Sequence, residues 1–266
     1  MYQITVITLT LNSEAYLHQC LQSVNKSLLY LYQKLPLVRT QHLVVDGGSS
    51  DTTREICSKY PYLNFHLSPC KGLYKTLDYA VSISNSCYVT YVHSDDYVAP
   101  EFIASLYLSL SSDTTQIPAC DVKFVDSASR HLWSRTQPPV NSFLQKYTNL
   151  VLHPNCIYYC EGEKLFPYHS TVEQAELDWK HINTLIESGY HFKRVTIPEC
   201  VYYMRLHSST VTARSIRGKS IDSDNSSVKT NPHLPLRLIA KLYLFLFESN
   251  KVMRILHYLR GTRHYQ

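Results

Sequence analysis

Two adjacent carboxylates, Asp95 and Asp96, close the segment His93-Ser94-Asp95-Asp96 directly behind the apolar run Tyr88-Val89-Thr90-Tyr91-Val92. The run reads as a buried strand. The acids therefore stand at a strand end, where two like charges are costly unless a positive group joins them. A hard divalent cation, Mg²⁺ or Mn²⁺, prefers oxygen ligands, and a diphosphate held through it is the matching partner. Taken alone, a solvated Asp-Asp turn is the simpler reading. Two further strand ends shift the weighing. Thr10-Leu11-Asn12 follows Ile4 to Leu9, and Asp46-Gly47-Gly48 follows Leu43-Val44-Val45.

These ends belong to a regular alternation. Tyr16/Leu17, Cys20/Leu21, Val24 and Leu28 recur at helical spacing after the first run. Ser49-Ser50-Asp51 signals a helix start, and a short helix runs on through Ile56. Phe65-His66-Leu67 gives a third strand; Tyr74, Leu77 and Val81 mark the next helix. Pro100-Glu101 opens another, through Leu110. Such alternation predicts an α/β fold with a Rossmann-like, mostly parallel sheet flanked by helices, and in such sheets ligands sit at the carboxyl ends of the strands. The second half is less regular. Cys120 to Val125 reads as a strand and His131-Leu132-Trp133 as an edge strand. A helix through Trp179, Ile182 and Leu185/Ile186 stops near Gly189. Ser208 to Asn231 reads as a long mobile loop.

Composition removes some alternatives. The net charge of +5 resides between Arg237 and Gln266, where six basic residues meet one acid, Glu248. The body is neutral, which argues against a nucleic-acid surface. The eight cysteines include no Cys-x-x-Cys pair. Cys156 and Cys160 could share a helix face, but zinc spacing is lacking and free thiols in a reducing cytosol are expected. The first residues show neither a basic n-region nor a cleavage site, so no signal peptide is read.

At this point the ordered motifs resemble a known family. Thr10-Leu11-Asn12, Val44-Val45-Asp46-Gly47-Gly48-Ser49-Ser50-Asp51-Thr52 and His93-Ser94-Asp95-Asp96 resemble inverting family 2 glycosyltransferases of GT-A fold, whose middle motif is V-D-G-G-S-x-D-G-T. Pro69-Cys70-Lys71-Gly72-Leu73-Tyr74-Lys75-Thr76-Leu77-Asp78 is similar to P-D-K-G-I-Y-D-A-M-N, found in a bacterial surface-polysaccharide branch. The resemblance spans roughly residues 2–212, with a mobile loop at 213–232 and a basic amphipathic helical tail at 233–266. It implies a donor half to about residue 125 and an acceptor half beyond it.

The resemblance implies roles. The donor is a nucleotide-diphosphate sugar, UDP-linked, held by Asp46, by the chain near Thr8, Thr10 and Asn12, and by Lys71. Asp96 coordinates a divalent metal, Mn or Mg, with Asp95 beside it on the sugar or ribose. In Tyr203-Met204-Arg205-Leu206-His207, similar to a late Y-R-x-H segment, His207 reaches the metal and Arg205 pairs with a phosphate. His153 matches a position lining the acceptor side, or is a turn residue. The general base falls within Glu176-Leu177-Asp178-Trp179. The Asp-Trp pair favours Asp178 and an alternative register favours Glu176, while two helix-start acids are the plainer explanation of both. Cys70, Lys75 and Asp78 depart from the branch pattern near the sugar, which leaves the donor sugar open.

The implied activity is metal-dependent, inverting, hexosyl-type transfer to a saccharide acceptor, lipid-linked, in polysaccharide, O-antigen or capsule biosynthesis at the cytoplasmic face of the membrane. A catalytically inactive nucleotide-sugar or saccharide binder is the alternative. A nucleotidyltransferase would need a Gly-rich basic loop after the first strand, and Asn12-Ser13-Glu14 lacks one. The tail's apolar run Leu242 to Phe247 is far below the roughly 20 residues that span a bilayer. An interfacial anchor on anionic lipid and a helix packed on the domain fit the tail equally.

Overall fold

The computed structural model describes residues 2–168, 177–208, 210 and 234–248. Three strand–helix steps come first: β1 (Tyr2–Thr10) and α1 (Leu17–Lys34), β2 (Thr40–Asp46) and α2 (Thr53–Ser58), β3 (Leu63–Leu67) and α3 (Leu73–Ile83). β4 (Ser86–Tyr91), the two-residue β5 (Tyr97–Val98) and α4 (Phe102–Leu108) follow. The second half runs through β6 (Gln116–Ala119), β7 (Asp121–Val125), β8 (His131–Arg135) and α5 (Ser142–Gln145) to a 3-10 turn at His153–Asn155. It continues with β9 (Ile157–Tyr159), α6 (Cys160–Leu165), α7 (Leu177–Glu187), β10 (His191–Arg194) and β11 (Val201–Arg205). α8 (Leu234–Phe245) comes last.

The main sheet has the order β3-β2-β1-β4-β9. Its first four strands are parallel and β9 is antiparallel. The chain steps outward from β1 to β2 and β3, then returns to place β4 on the other side of β1. That reversal opens a crevice beyond the carboxyl ends of β1 and β4, the usual ligand position of such sheets.

Both faces of the sheet are covered, which is why its strands read as apolar runs rather than alternating ones. Alternation still decides the face. Ile4 and Val6 pack with Cys20, Val24 and Leu31 of α1 and with Phe102 and Ile103 of α4. Ile7, Leu43 and Val45 pack with Tyr74, Leu77 and Val81 of α3. Each fully buried aliphatic side chain contributes about 1.5–3 kcal/mol of transfer free energy.

A second sheet, β5-β11-β7-β8, stands beside the crevice. β8 is its edge, as the sequence predicts, and Trp133 stacks on Phe124 across the strands at 4.7 Å between centroids. β10 pairs with β6. Gly189, at φ 92°, ends α7 where the sequence places the stop. Cys156 precedes β9 and Cys160 opens α6, so the two do not share a helix face, and all eight cysteines are free.

α8 packs on the domain. Ala240 and Leu244 are buried, the Tyr243 hydroxyl donates to the Pro139 carbonyl at 2.8 Å, and Arg135 pairs with Glu248 at 3.1 Å. α8 leaves Leu238, Ile239 and Leu242 exposed, as is Leu246 just after it. No helix among the described residues is long and apolar enough to cross a membrane. The expected loop at 213–232, the tail beyond residue 248 and Glu176 lie outside the described residues.

Candidate active site

Three strand ends converge at the crevice, and hydrogen bonds lock them together. Asp46 ends β2, opposite Thr10 of β1. Its Oδ1 accepts from the Thr10 hydroxyl at 2.9 Å and the Ser49 hydroxyl at 2.5 Å; its Oδ2 accepts from the Ser49 amide at 2.9 Å. Gly48 carries φ 98°, the left-handed conformation that lets this turn close back on its own aspartate. Asn12, at φ 51°, bridges the two loops: its Oδ1 accepts from the Ser50 amide and its amide donates to Ser49 Oγ. A Ser13–Ser94 hydroxyl pair at 2.8 Å joins this construction to the loop after β4.

Thr10, Asn12, Asp46 and the Asp95–Asp96 turn are thus brought together as the sequence predicts. Thr8 is not. It is fully buried within the sheet, and its hydroxyl is engaged by His42 Nε2 at 3.0 Å. The exposed positions at this end are Leu11 and Asn12. Lys71 is exposed just ahead of α3, and no described hydrogen bond ties it to the carboxylates.

The two acids have different surroundings. Asp96 is buried; its Oδ2 accepts from the Tyr202 hydroxyl at 2.7 Å and its Oδ1 from the Arg205 amide at 2.6 Å. Burial and the adjacent Asp95 charge push its carboxyl well above the usual range despite those bonds. Asp95 is more open and meets His207 Nε2 at 3.1 Å. Burial opposes its ionisation, but the His207 hydrogen bond and the nearby imidazoles outweigh burial and hold it below the usual range. His93 Nδ1 lies 3.6 Å from Asp96. His93, Asp95 and Asp96 bring one ligand atom each within 4.8 Å of one another. Carboxylate oxygens with imidazole nitrogen suit Mn²⁺ or Mg²⁺, and a cation there would relieve the like-charge cost that raises Asp96. The resemblance puts the cation on Asp96 and His207, with Asp95 beside it on the sugar or ribose; in the structure His93, Asp95 and Asp96 form the candidate group and His207 contacts Asp95.

Arg205 corrects its expected role. The side chain is 2% exposed. Its Nε donates to the Asp95 carbonyl at 2.8 Å, its Nη1 to the Asp126 and Ser127 carbonyls and Ser129 Oγ, and its Nη2 to Gln19 Oε1 at 2.6 Å. Tyr16 covers the guanidinium at 4.4 Å. A guanidinium so engaged has no free fork for a phosphate; it anchors the turn that carries the two acids.

On the far side, Asp178 stands in the first turn of α7, half-buried, and its Oδ1 accepts from the Tyr74 hydroxyl at 3.0 Å. The charges of Asp95 and Asp178 both act on His93, which links the two sides. His153 is buried and close to Tyr168 and Glu163 rather than lining an open surface. Sequence reasoning missed Tyr202, Tyr74, Glu163 and His181. Tyr74 left a signal as the tyrosine of the Pro69–Asp78 stretch, and His181 as the residue three after Asp178 and so near its helical face.

A mixed, mostly parallel sheet with this crevice is the GT-A architecture of glycosyltransferases. Residues 5–171 match the family model described as glycosyl transferase family 2, and the chain belongs to that family. It is 25% identical over 209 residues to the poly(ribitol-phosphate) beta-N-acetylglucosaminyltransferase TarS of Staphylococcus aureus, covering 72% of this chain and 35% of that protein. It is 29% identical over 109 residues to the glycosyltransferase GlyA of Streptococcus pneumoniae, covering 40% of this chain and 14% of that protein. The chain thus spans about a third or less of the curated relatives it matches. Among solved structures, S. aureus TarS 1-349 superposes with a TM-score of 0.55 at 20% identity, covering 99% of this chain and 75% of that one. Its complex with UDP-GlcNAc gives a TM-score of 0.55 at 20% identity, covering 92% and 71%.

Proposed function

We propose that this chain is an inverting, metal-dependent glycosyltransferase that moves a sugar from a UDP-sugar to a saccharide hydroxyl. The observation that carries the reading is the convergence of the β1, β2 and β4 ends on one crevice, with the His93–Asp95–Asp96 group at its centre and Asp178 across from it. The solved relative bound to UDP-GlcNAc makes UDP-N-acetylglucosamine the first donor to test.

In this reading Asn12 and the turn around Asp46 receive the nucleoside, and Asp95, Asp96, His93 and His207 hold the cation. When bound, the cation offsets the charge that grows on the departing diphosphate. Asp178 accepts the proton of the acceptor hydroxyl as its oxygen attacks the anomeric carbon from the face opposite the diphosphate. The bond to UDP breaks as the new one forms, so the configuration inverts. Anchoring the Asp95–Asp96 turn through Arg205 and Tyr202 keeps the ligand oxygens preorganised. The exposed leucines of α8 beside Arg237 and Lys241 support contact with an anionic lipid surface, consistent with a lipid-linked acceptor.

The test is a screen of UDP-sugars with Mn²⁺ and Mg²⁺, with and without chelator, reading UDP release and the anomeric configuration of the product. UDP release that stops with chelator, and an inverted product, support the proposal. UDP binding without turnover of any donor would reduce the chain to a nucleotide-sugar binder.

A further inference from the structure

Behind Asp178 lies a polar cluster that the reaction above does not use. His153, Glu163 and His181 are buried, at 3%, 2% and 5% exposed. Glu163 Oε1 pairs with His181 Nε2 at 2.9 Å. Its Oε2 accepts from the Tyr91 hydroxyl at 2.6 Å and the Tyr168 hydroxyl at 3.3 Å. No lysine or arginine among the described residues pairs with this carboxylate; its counter-groups are imidazoles. Burial alone would raise the Glu163 carboxyl, but His181 and His153 outweigh it and hold it well below the usual range.

The three side chains have the composition of a zinc site, and their ligand atoms fall within 4.8 Å of one another. Yet both Glu163 oxygens, His181 Nε2 and His153 Nε2 already have protein hydrogen-bond partners. That pattern describes a satisfied buried network, which specifies geometry.

The network reaches Asp178 by two routes. His181 is one turn after Asp178 on α7, so its bond to Glu163 pins the turn that bears the acid. His181 also stacks on Tyr168 at 4.0 Å and 24°, and Tyr168 stacks on Tyr74 at 6.0 Å and 23°. Tyr74 is the residue that donates to Asp178. We propose that Tyr74 and the Glu163–His181 pair are the positioning residues of Asp178: Tyr74 fixes its carboxylate directly, and Glu163 holds both the Tyr74 stack and the first turn of α7. The proposal deepens the reading of Asp178 as the base and rests on it for its catalytic meaning.

From the elements packed around it, Asp178 faces Tyr74 of α3, His93 of the loop after β4 and Tyr168 after α6. The experiment is NMR measurement of the Asp178 side-chain χ1 couplings in the full chain at one neutral pH, with Asp178 assigned by its loss in Asp178→Asn. Tyr74→Phe keeps the ring stack but removes the hydroxyl that fixes the carboxylate, and should average the couplings toward free rotation. Glu163→Gln, which touches neither residue directly, should average them too by releasing Tyr74, whereas a through-space charge effect would leave the rotamer fixed. In the Tyr74→Phe background, Glu163→Gln should add little further averaging.

Asp178 couplings left unchanged by Tyr74→Phe, or by Glu163→Gln, overturn the proposal. So does zinc that survives dialysis against EDTA in the wild-type chain and is lost in Glu163→Gln, because the cluster would then be a metal site. If Glu163→Gln fails to fold, His181→Gln takes its place, with hydrogen exchange in the first turn of α7 as the readout: faster exchange supports the pin and unchanged exchange overturns it. These readouts need no turnover. Full transfer activity in Asp178→Asn would sink the base reading by itself and is a separate result.

Discussion

Arg205→Met separates two roles for one side chain. If the guanidinium anchors the Asp95–Asp96 turn, its removal strands the Asp95 and Ser127 carbonyls, while the Asp126 carbonyl keeps the Ser129 amide and Gln19 and Ser129 keep each other. An unsatisfied buried acceptor costs about 1–3 kcal/mol, partly recovered by relaxation or entering water. Two stranded acceptors at that cost give an expected loss of about 2–4 kcal/mol. Methionine keeps the aliphatic stem, so the packing lost is confined to the guanidinium face against Tyr16. For a chain of this size that is a fall in Tm on the order of 10 °C. The backbone amide of residue 205 still donates to Asp96, so the deeper acid stays seated while the Asp95 peptide loosens.

Two measurements read this out: denaturant unfolding for stability, and calorimetric titration of UDP with Mn²⁺ for binding. The anchor role predicts a large loss of stability, with weaker UDP binding as a consequence. Arg205→Lys should fall between, because an ammonium with three donors cannot span acceptors set around a planar fork. A phosphate-ligand role predicts the reverse. Unchanged stability with UDP affinity lost in Arg205→Met would refute the anchor argument.

Four other outcomes are expected. Asp96→Asn should cost at least about tenfold in Mn²⁺-dependent UDP affinity, since hydrogen bonds and charge at a cation site act together; equal affinity with and without Mn²⁺ in both proteins would remove the metal assignment. The fold favours Asp96 protonated, so without a cation its contribution is complete at low pH and is lost as pH rises; stabilisation by Mn²⁺ should therefore grow with pH, and a constant thermal shift from pH 5 to 8 would count against this site. Burial lowers His42 from 6.5 to about 3, so the fold holds it neutral and loses stability as pH falls from 6.5 toward 3, by about 1.4 kcal/mol per pH unit; His42→Asn should flatten that part of the acid-unfolding curve, and an unchanged slope would show that other groups dominate. The chain should co-sediment with anionic vesicles at low salt, and Leu238→Ser with Leu242→Ser should weaken that without changing Tm, because both side chains are exposed; no binding by the wild-type chain would end the membrane reading.

What the sequence made legible follows from burial. β1, β2 and β4 lie inside a sheet covered on both faces, so Ile4–Leu9, Leu43–Val45 and Tyr88–Val92 stand out as apolar runs and their polar ends are easily marked. The second sheet was legible in part. β7 and β8 stand out as Cys120–Val125 and His131–Trp133, but β5 is two residues long, too short for a period, and the pairing of β11 with β7 is set by contacts about 80 residues apart in the chain. Arg205 shows the cost. As a letter beside His207 it matches a phosphate ligand, and only the meeting of Gln19, Asp95, Asp126 and Ser129 around it reveals an internal anchor. At Thr8 the side chain sits in the core, so only its backbone could serve the crevice, as the expectation of the chain near Thr8 requires.

The two sides of the crevice are also built differently, and this bears on how the chain can vary. The side formed by the ends of β1 and β2 is made from two adjoining loops: Asp46 caps its own turn, Asn12 ties the loops together, Asp51 accepts from the Glu14 amide and Glu14 accepts from the Thr52 amide. Each can keep its geometry if distant parts change. The side bearing Asp178 depends on residues from α3, α6, α7 and the segment around Tyr168, joined through one buried carboxylate. Substitutions there cannot be independent, since Tyr91, Tyr168 and His181 all spend a hydrogen bond on Glu163. Cys70, Lys75 and Asp78 occupy the boundary, on or just before α3, where Tyr74 also sits. Asp78 accepts from the Tyr168 amide at 2.7 Å, so a residue that departs from the branch pattern near the expected sugar site is fastened to the acceptor-side network. A change of donor sugar through Asp78 would therefore disturb Tyr168 and, through it, the stack that holds Tyr74 on Asp178.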